Sequence, residues 1–376
     1  MPDDLKIAVI GGGYMARAHS VALAALPVYV DDLPFQPIRE VICDATGDLA
    51  AEAARRFGYN RSSGDWRAVV EDPDVDVVDV VLPNDLHLEV VEAALAAGKH
   101  VTCEKPLANT AAECAHLLAA AEKAGVVHQT GLNWRLAPAV QQARRLIEDG
   151  TIGEIRDFRG FWLADFGADA SSPMTWKYRK ESAGSGSLGD TGSHVIDFAR
   201  YLAGEFASVV GLSRIHVPER TPAGGGAPEP VDVEDDAAFL AEFTGGAYGY
   251  VQLTRSSPGR KNHCGFELHG SKGSVVFDWE RMNELRVYDS RDAKDRQGFR
   301  TVLMGPAQPY GGQFWRVPGY QIGFGETKVL QFMELVRAIG GQGDVQTSFL
   351  DGLRAKQVEE AVEASIDTRA WTEVAR

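Results

Sequence analysis

The sequence predicts two domains: an α/β domain on a parallel sheet, followed by an α+β domain with an open, mainly antiparallel sheet. Up to about residue 134, short apolar runs rich in β-branched residues alternate with alanine-rich helical patterns, which is typical of parallel sheets covered by helices. Beyond that point, apolar runs follow one another with glycine-rich turns between them, as in antiparallel sheets. A chain of 376 residues is long enough for two cores. We therefore place the domains at 1–134 and 135–376, with final helices that pack back across them.

The composition argues against several classes of partner and site. Hydrophobic residues make up 44% of the chain and charged residues 24%, as in ordinary globular proteins. The net charge of −15 argues against nucleic acid and anionic membranes as partners. We expect a cytoplasmic protein, because the sequence begins with a strand pattern and shows neither a signal peptide nor an apolar span of about 18 residues. The four cysteines form no CxxC pair, which argues against a structural metal site or a disulfide framework.

A glycine-rich turn opens the chain. Residues 5–26 read LKIAVIGGGYMARAHSVALAAL, a β-branched run followed by glycines and then by a helical pattern. Gly11, Gly13 and Ala16 match the G-x-G-x-x-A fingerprint, in which glycine permits a tight turn and a close approach of the backbone to a pyrophosphate. The helix that follows offers its free N–H groups to the phosphates. The stretch therefore predicts a dinucleotide-binding Rossmann domain.

An acidic residue at the tip of the second strand predicts the type of dinucleotide. Asp44 ends the run REVICD, where a carboxylate accepts hydrogen bonds from the ribose hydroxyls of NAD. Asp44 lies farther from Gly13 than the usual spacing of about twenty residues, and we interpret residues 27–37, PVYVDDLPFQP, as an inserted loop. Asp48 competes with Asp44 but fits the start of the next helix better. No basic residue follows Asp44 to bind a 2′-phosphate, so we favour NAD over NADP.

Residues at the carboxyl ends of later strands are candidates for ligand contacts, because ligands bind there in open parallel sheets. Lys105 stands in the sequence CEKPL, where the following proline favours extended geometry and ends the strand. It could hydrogen-bond a substrate oxygen, or be a solvated lysine paired with Glu104. The residues expected to contact the cofactor are Gly11, Gly13, Tyr14, Met15, Asp44, Leu82, Pro83, Asn84, His87, Glu104, Lys105 and Asn133.

The stretch GDTGSHVID, residues 189–197, concentrates ionisable groups. Asp190 and His194 are four residues apart, so on a helix they share one face about one turn apart. The pair is either catalytic or an ordinary helix start with a hydrogen-bonded histidine. The stretch alone does not decide between these interpretations.

Several motifs together resemble one family. The G-x-G-x-x-A turn, LPNDLH, GKHVTCEKPLA and GSGSLGDTGSHVIDFARYLAG are similar to motifs of the glucose–fructose oxidoreductase / inositol dehydrogenase / MocA family, in the same order and along nearly the whole chain. The carboxy-terminal half resembles a branch that includes scyllo-inositol and levoglucosan dehydrogenases. The resemblance implies that Lys105, Asp190 and His194 surround a substrate carbinol.

The resemblance also implies the roles of these residues. His194 would be the general base, since the unperturbed pKa of histidine lies near working pH. Lys105 would hydrogen-bond the same oxygen or relay the proton, and Asp190 would bind an adjacent hydroxyl. Which of His194 and Lys105 carries the proton stays open. The residues expected to contact the substrate are Lys105, Arg135, Trp162, Asp165, Arg179, Asp190 and His194.

The expected function is NAD-dependent oxidation of a secondary alcohol on a cyclic polyol or sugar. We expect an inositol first and a pyranose such as levoglucosan second. The alternatives are a glycoside hydrolase that uses NAD transiently and an NAD-sensing regulator. The family resemblance further implies a homodimer or homotetramer formed through the outer face of the carboxy-terminal sheet.

Overall fold

The computed structural model describes residues 3–375, which form two compact units. The first unit comprises the described residues up to Leu136 together with Ile322–Leu353. The second comprises Ala137–Gln321 and the described residues from Arg354 onward.

The first unit is built on a parallel sheet. Its elements up to residue 136 are β1 (Asp3–Ile10), α1 (Tyr14–Tyr29), β2 (Phe35–Cys43), α2 (Gly47–Phe57), β3 (Arg61–Ser63), α3 (Trp66–Glu71), β4 (Val77–Val80), α4 (His87–Ala96), β5 (His100–Cys103), α5 (Ala111–Ala124) and β6 (His128–Thr130). The six strands follow the order β3-β2-β1-β4-β5-β6, with every pairing parallel. This is the strand order of the Rossmann fold, so the predicted α/β domain is confirmed.

The second unit is built on a mixed sheet. Its elements before residue 322 are α6 (Pro138–Glu148), β7 (Ile155–Leu163), α7 (Lys180–Ala183), α8 (Ser187–Asp190), α9 (Gly192–Ala203), β8 (Phe206–Arg214), β9 (Glu219–Arg220), β10 (Glu229–Pro230), β11 (Asp236–Phe243), β12 (Tyr248–Thr254), β13 (His263–Gly270), β14 (Gly273–Asp278), β15 (Glu284–Asp289) and β16 (Arg300–Leu303). The chain ends with α10 (Phe324–Ile339), α11 (Phe349–Thr368) and β17 (Thr372–Glu373).

The nine strands of this sheet follow the order β16-β15-β14-β13-β7-β12-β11-β8-β17. Seven of the eight pairings between neighbouring strands are antiparallel, and β12 pairs with β7 in parallel. The mainly antiparallel sheet predicted for this part of the chain is thus confirmed. Buried and exposed residues alternate along β11, so one face of the sheet is covered and the other is open to solvent.

Residues 27–37 do not form the inserted loop that the prolines predict. Helix α1 continues through Pro27 to Tyr29, and β2 starts at Phe35 and includes Pro37. Only residues 30–34 connect the two elements. Most of the residues that were interpreted as an insertion therefore belong to α1 and β2. Helix α1 tolerates Pro27 because this residue lies in its last turn, where the missing N–H costs a single hydrogen bond.

The segment Ile322–Leu353 belongs to the first unit, whereas the sequence boundary assigns it to the second domain. Helix α10 packs against α1, and every residue from Thr327 to Val336 is buried. Phe349 joins the apolar core around β4 and β5. The chain thus returns to the first unit at α10, about three hundred positions after the α1 residues that this helix contacts.

The glycine- and proline-rich stretch after β8 is expected from its composition to be mobile or an oligomer arm. Within it, β9 and β10 pair as a short antiparallel hairpin. The buried Arg220 guanidinium donates to the carbonyl oxygens of Gly167, Asp169 and Ser172. These bonds anchor the stretch to the loop after β7.

None of the helices described in residues 3–375 is long and apolar enough to cross a membrane. The four cysteines are all free and buried. Burial raises the pKa of the Cys43 thiol to about 11, so this thiol is unreactive at neutral pH.

Candidate active site

The turn between β1 and α1 has the geometry of a phosphate-binding loop. Gly11 has a φ of +114°, which side chains other than glycine rarely adopt, and its N–H donates to the Cys43 oxygen at 2.8 Å. Gly13 is the N-cap of α1, has no side-chain cap, and would place a Cβ with nothing within 4 Å. The helix N-terminus is therefore open to an anion.

Gly12 is a functional glycine that the sequence analysis missed. A Cβ at Gly12 would lie 2.9 Å from the Asp44 carboxyl carbon and closer still to its Oδ2. Glycine at this position lets the Asp44 side chain approach the turn. The G-x-G-x-x-A pattern treats Gly12 as a variable position, so it gave no signal.

Asp44 follows β2 directly, and two backbone hydrogen-bond partners fix its orientation. Its N–H donates to the Ser63 oxygen at 3.2 Å, and its Oδ1 accepts from the Ala45 N–H at 2.8 Å. Asp48, the competing candidate, lies in the first turn of α2, whose N-cap is Thr46. The structure therefore leaves Asp44 as the acidic residue beside the glycine turn.

Tyr14 and Met15 form the start of α1. Tyr14 is 73% exposed, and Met15 is partly buried. Tyr14 is therefore accessible to a ligand bound at the turn.

The loop after β4 is held by His87 from within the protein. Leu82 and Pro83 precede a short 3₁₀ turn that starts at Asn84, and His87 begins α4 with 1% of its surface exposed. The His87 Nε2 lies 2.9 Å from the Leu82 oxygen, and its Nδ1 lies 2.9 Å from the Pro106 oxygen. Burial lowers the pKa of His87, although the nearby carbonyls oppose that shift. The ring lies between the loops after β4 and β5, and the contact of His87 with the cofactor stays a prediction.

Glu104 and Lys105, which follow β5, differ in burial. The Glu104 carboxylate is buried and contacts His19 and Lys328. Lys105 is only partly buried. Its backbone N–H donates to the Glu104 Oε2 at 3.3 Å.

Asn133 and Arg135 each have hydrogen-bond partners within the first unit, and their contacts with cofactor and substrate stay predictions. The Asn133 amide is buried and donates to the Thr327 hydroxyl at 2.7 Å. Arg135 is 5% exposed and donates to the Gln346 oxygen at 2.7 Å and to Asp351 at 3.1 Å. Both residues thus hold the segment 322–353 within the first unit.

In the second unit, Asp190 and His194 lie on two consecutive short elements. Asp190 is the last residue of α8, and His194 is in the first turn of α9, with Thr191 between the two helices. The Glu234 carboxylate accepts from the N–H groups of Gly186 and Leu188 at 3.0 and 2.8 Å. This side chain fixes the start of α8 and therefore the position of Asp190.

Trp162 and Asp165 lie near the end of β7. Trp162 is buried, and its ring centroid lies 5.8 Å from that of His194. It packs against the imidazole, and its contact with the substrate stays a prediction. Asp165 contacts the Lys261 ammonium at 2.6 Å, and the hydrogen bond from Lys261 lowers the pKa of its carboxyl.

The cation beside Asp190 is Lys177, which the sequence analysis missed. The Lys177 Nζ lies 3.0 Å from the Asp190 Oδ2, and both side chains are partly exposed. Arg179, the residue selected from sequence, pairs with Glu229, and its contact with the substrate stays a prediction. The stretch TWKYRKES contains three cations, and their order alone gives no signal for which one faces Asp190.

Comparisons with known proteins agree with this geometry. Residues 5–132 match the family model of the NAD-binding Rossmann fold of an oxidoreductase family, and residues 140–276 match the GFO/IDH/MocA C-terminal domain. The chain belongs to the Gfo/Idh/MocA family. The family predicted from the motifs is thereby confirmed, and so are the oxidoreductase class and the NAD-binding Rossmann domain.

Individual Gfo/Idh/MocA relatives match nearly the whole chain. Levoglucosan dehydrogenase of Pseudarthrobacter phenanthrenivorans is 45% identical over 383 aligned residues, covering 99% of this chain and 98% of that protein. The NAD⁺-dependent scyllo-inositol 2-dehydrogenase of Bacillus subtilis is 29% identical and covers 90% and 87%. The solved structure of a levoglucosan dehydrogenase in complex with NADH and levoglucosan aligns with a TM-score of 0.97 at 45% identity, covering 99% of this chain and 100% of that one.

Proposed function

We propose that this Gfo/Idh/MocA protein oxidises a secondary alcohol of a pyranose such as levoglucosan to the ketone, with NAD as the hydride acceptor. The observation that carries the proposal is the 45% identity to a levoglucosan dehydrogenase along the full length of both chains. Scyllo-inositol is the second candidate, because an inositol dehydrogenase is 29% identical over most of the chain. The inositol-first expectation from sequence is therefore reversed in this proposal.

The residues present fit NAD. The open N-terminus of α1 suits the pyrophosphate, and the Asp44 carboxylate beside Gly12 suits the ribose hydroxyls. Asp44 would repel the 2′-phosphate of NADP, and the adjacent Ala45 and Thr46 offer no cation to offset that repulsion. When bound, NAD supplies the hydride-accepting nicotinamide ring.

His194 is assigned the role of general base for the substrate hydroxyl. Imidazole is suited to this because its unperturbed pKa lies near neutral pH. Trp162 packs against the His194 ring and restricts its orientation. Asp190, paired with Lys177, is assigned to an adjacent hydroxyl of the sugar.

Lys105 is assigned to the oxygen that loses its proton. A lysine ammonium stabilises negative charge that develops on that oxygen during hydride transfer. Its partial burial and the backbone bond to Glu104 support a defined position for the start of the side chain.

The test is the formation of NADH, followed by its near-ultraviolet absorbance, on a panel of levoglucosan, hexoses and inositols. NADP replaces NAD in a parallel series. We expect turnover on levoglucosan or a related pyranose with NAD, and a fall of about 10²-fold or more in kcat for Lys105→Ala and His194→Ala. Absence of turnover on every sugar, with NADH still bound, would refute the dehydrogenase and favour glycoside cleavage or NAD sensing.

We further propose that the protein acts as a cytoplasmic homodimer or homotetramer. On the outer face of the second sheet, Leu212, Leu240, Tyr248 and Tyr250 are 40–59% exposed. Leu240 lies opposite Tyr250, and Tyr248 lies two positions before Tyr250 on β12, on the same face of the sheet. An exposed apolar patch on a sheet face is typical of a surface that a second protein chain covers.

A further inference from the structure

Four ionisable side chains are buried behind the loop that carries Lys105. His19 on α1 and Asp79 on β4 have no exposed side-chain surface, Lys328 on α10 has 1%, and Glu104 after β5 has 9%. Charged groups rarely lie so deep without being paired and hydrogen-bonded. All four belong to the first unit.

These side chains form a continuous hydrogen-bonded chain. The His19 Nδ1 lies 2.8 Å from the Asp79 Oδ2, and the His19 Nε2 lies 3.0 Å from the Glu104 Oε1. The Lys328 ammonium donates to the same Glu104 oxygen and, at 3.1 Å, to the Gln331 amide oxygen. Through Gln331 the chain continues to Thr102 at 3.2 Å.

The geometry defines the charge of each member. Both ring nitrogens of His19 face carboxylates, which only accept hydrogen bonds, so the imidazole is doubly protonated. Burial lowers the pKa of His19, but Asp79 and Glu104 outweigh burial and raise it overall. Burial alone would raise the pKa of Glu104, yet Lys328 and His19 hold it well below its usual range. Two cations therefore balance two anions.

The network reaches Lys105 through Glu104. One Glu104 oxygen faces the two cations, and the other accepts the Lys105 backbone N–H at 3.3 Å. Gly131 lies against the same carboxylate, where a Cβ would come within 2.9 Å of the Glu104 Oε1. These contacts hold the Glu104 carboxylate in one position, and the Lys105 backbone N–H is hydrogen-bonded to it.

We propose that His19 and Lys328 are positioning residues that act on Lys105 by fixing the Glu104 carboxylate. The proposal rests on the proposed function, in which Lys105 contacts the reacting oxygen. Lys328 lies on α10, which belongs to the segment Ile322–Leu353. The position of Lys105 therefore depends on how that segment packs within the first unit. A misplacement of about 1 Å at a catalytic group costs on the order of a hundredfold in rate.

The test compares three variants by steady-state kinetics, NADH affinity and hydrogen exchange at the Lys105 amide. Lys328→Met removes the charge while Glu104 keeps its bond to His19. Lys328→Arg keeps the charge with a different donor geometry. Lys99→Met is the matched control, because Lys99 is also a buried lysine of the first unit but donates only to the carbonyl oxygens of Asp72 and Val75.

We expect Lys328→Met to lower kcat about tenfold to a hundredfold, to change the Kd for NADH by less than about threefold, and to accelerate exchange at the Lys105 amide. Lys328→Arg should recover part of both effects. Lys99→Met should lower thermal stability and leave kcat and exchange at Lys105 unchanged.

Wild-type kcat and exchange in Lys328→Met would overturn the proposal and leave the network a purely structural one. If Lys328→Met does not fold, Lys328→Arg decides by the same two measurements. If the wild type turns over no sugar, the proposed function fails on its own. In that case the exchange at the Lys105 amide still decides whether Lys328 fixes this loop.

Discussion

The glycine turn permits a prediction that separates the fold from nucleotide binding. In Gly13→Ala, the new Cβ meets no protein atom within 4 Å, and the φ of −79° suits alanine. The smaller entropy of the unfolded chain favours alanine by about 0.4–1 kcal/mol, while alanine is the poorer N-cap by a similar amount. The free energy of unfolding without nucleotide should therefore change by less than about 0.5 kcal/mol.

The affinity for NADH should fall in Gly13→Ala, because the new methyl group occupies the space that the pyrophosphate would take. A hydrogen bond to a charged group contributes about 1.5–3 kcal/mol. Loss of one such bond at the α1 N-terminus raises the Kd for NADH about tenfold to a hundredfold. Differential scanning fluorimetry without ligand measures the fold, and titration calorimetry with NADH measures the affinity.

Gly12→Ala provides the contrast, because its Cβ would collide with the Asp44 carboxylate. Gly12→Ala should weaken NADH binding by displacing the Asp44 carboxylate. In an Asp44→Ala background, the same substitution should therefore raise the Kd for NADH little further. Gly13→Ala should stay additive with Asp44→Ala. A Kd for Gly13→Ala equal to that of the wild type, or additive effects of Gly12→Ala and Asp44→Ala, would refute this account of the turn.

Three further predictions concern the second unit. Lys177→Ala should raise the KM for the sugar about twofold to fivefold, and Arg179→Ala should change it less, because Lys177 contacts the proposed catalytic carboxylate whereas Arg179 pairs with Glu229; steady-state kinetics would contradict this if the order were reversed. Hydrogen bonds from Arg291 lower the pKa of Asp289 from 3.8 to about 2, so its contribution to stability is present above pH ~4 and lost as the pH falls through about 2. The melting-temperature difference between wild type and Asp289→Asn should therefore shrink on acidification over that range, and a difference that stays constant would disprove the assignment. Leu240→Lys should lower the molar mass measured by light scattering to that of a monomer, and an unchanged mass would exclude this face as the interface.

The parts of the fold that were predicted from sequence are those that depend on neighbouring residues. The strand, glycine turn and helix at the start of the chain follow from local periodicity and from the φ that Gly11 must adopt. The antiparallel hairpins likewise follow from apolar runs separated by glycines, as at Gly246, where φ is +88°. Such features need no knowledge of distant contacts.

The roles of polar residues at strand ends are harder to predict, because two different environments produce the same pattern. Lys105, Asn133 and Arg135 all follow buried strands, yet Asn133 and Arg135 bond to Thr327 and Asp351. Those partners lie about two hundred residues away in the chain. A weak signal was present in α10, where Thr327, Lys328, Gln331 and Glu334 are polar at helical spacing among buried residues that are otherwise apolar.

The buried network beside Lys105 argues that this part of the structure serves more than stability. Replacing a buried ion network with well-packed apolar residues is often neutral or stabilising, because desolvation offsets the attraction between the charges. A core that needed only to hold α10 against the sheet would be served by contacts between apolar side chains. The charges of His19 and Lys328 instead converge on a single carboxylate oxygen whose partner oxygen binds the Lys105 backbone. An apolar substitute would fill the same volume but would leave no acceptor for that N–H, so the loop would lose the bond that sets its position.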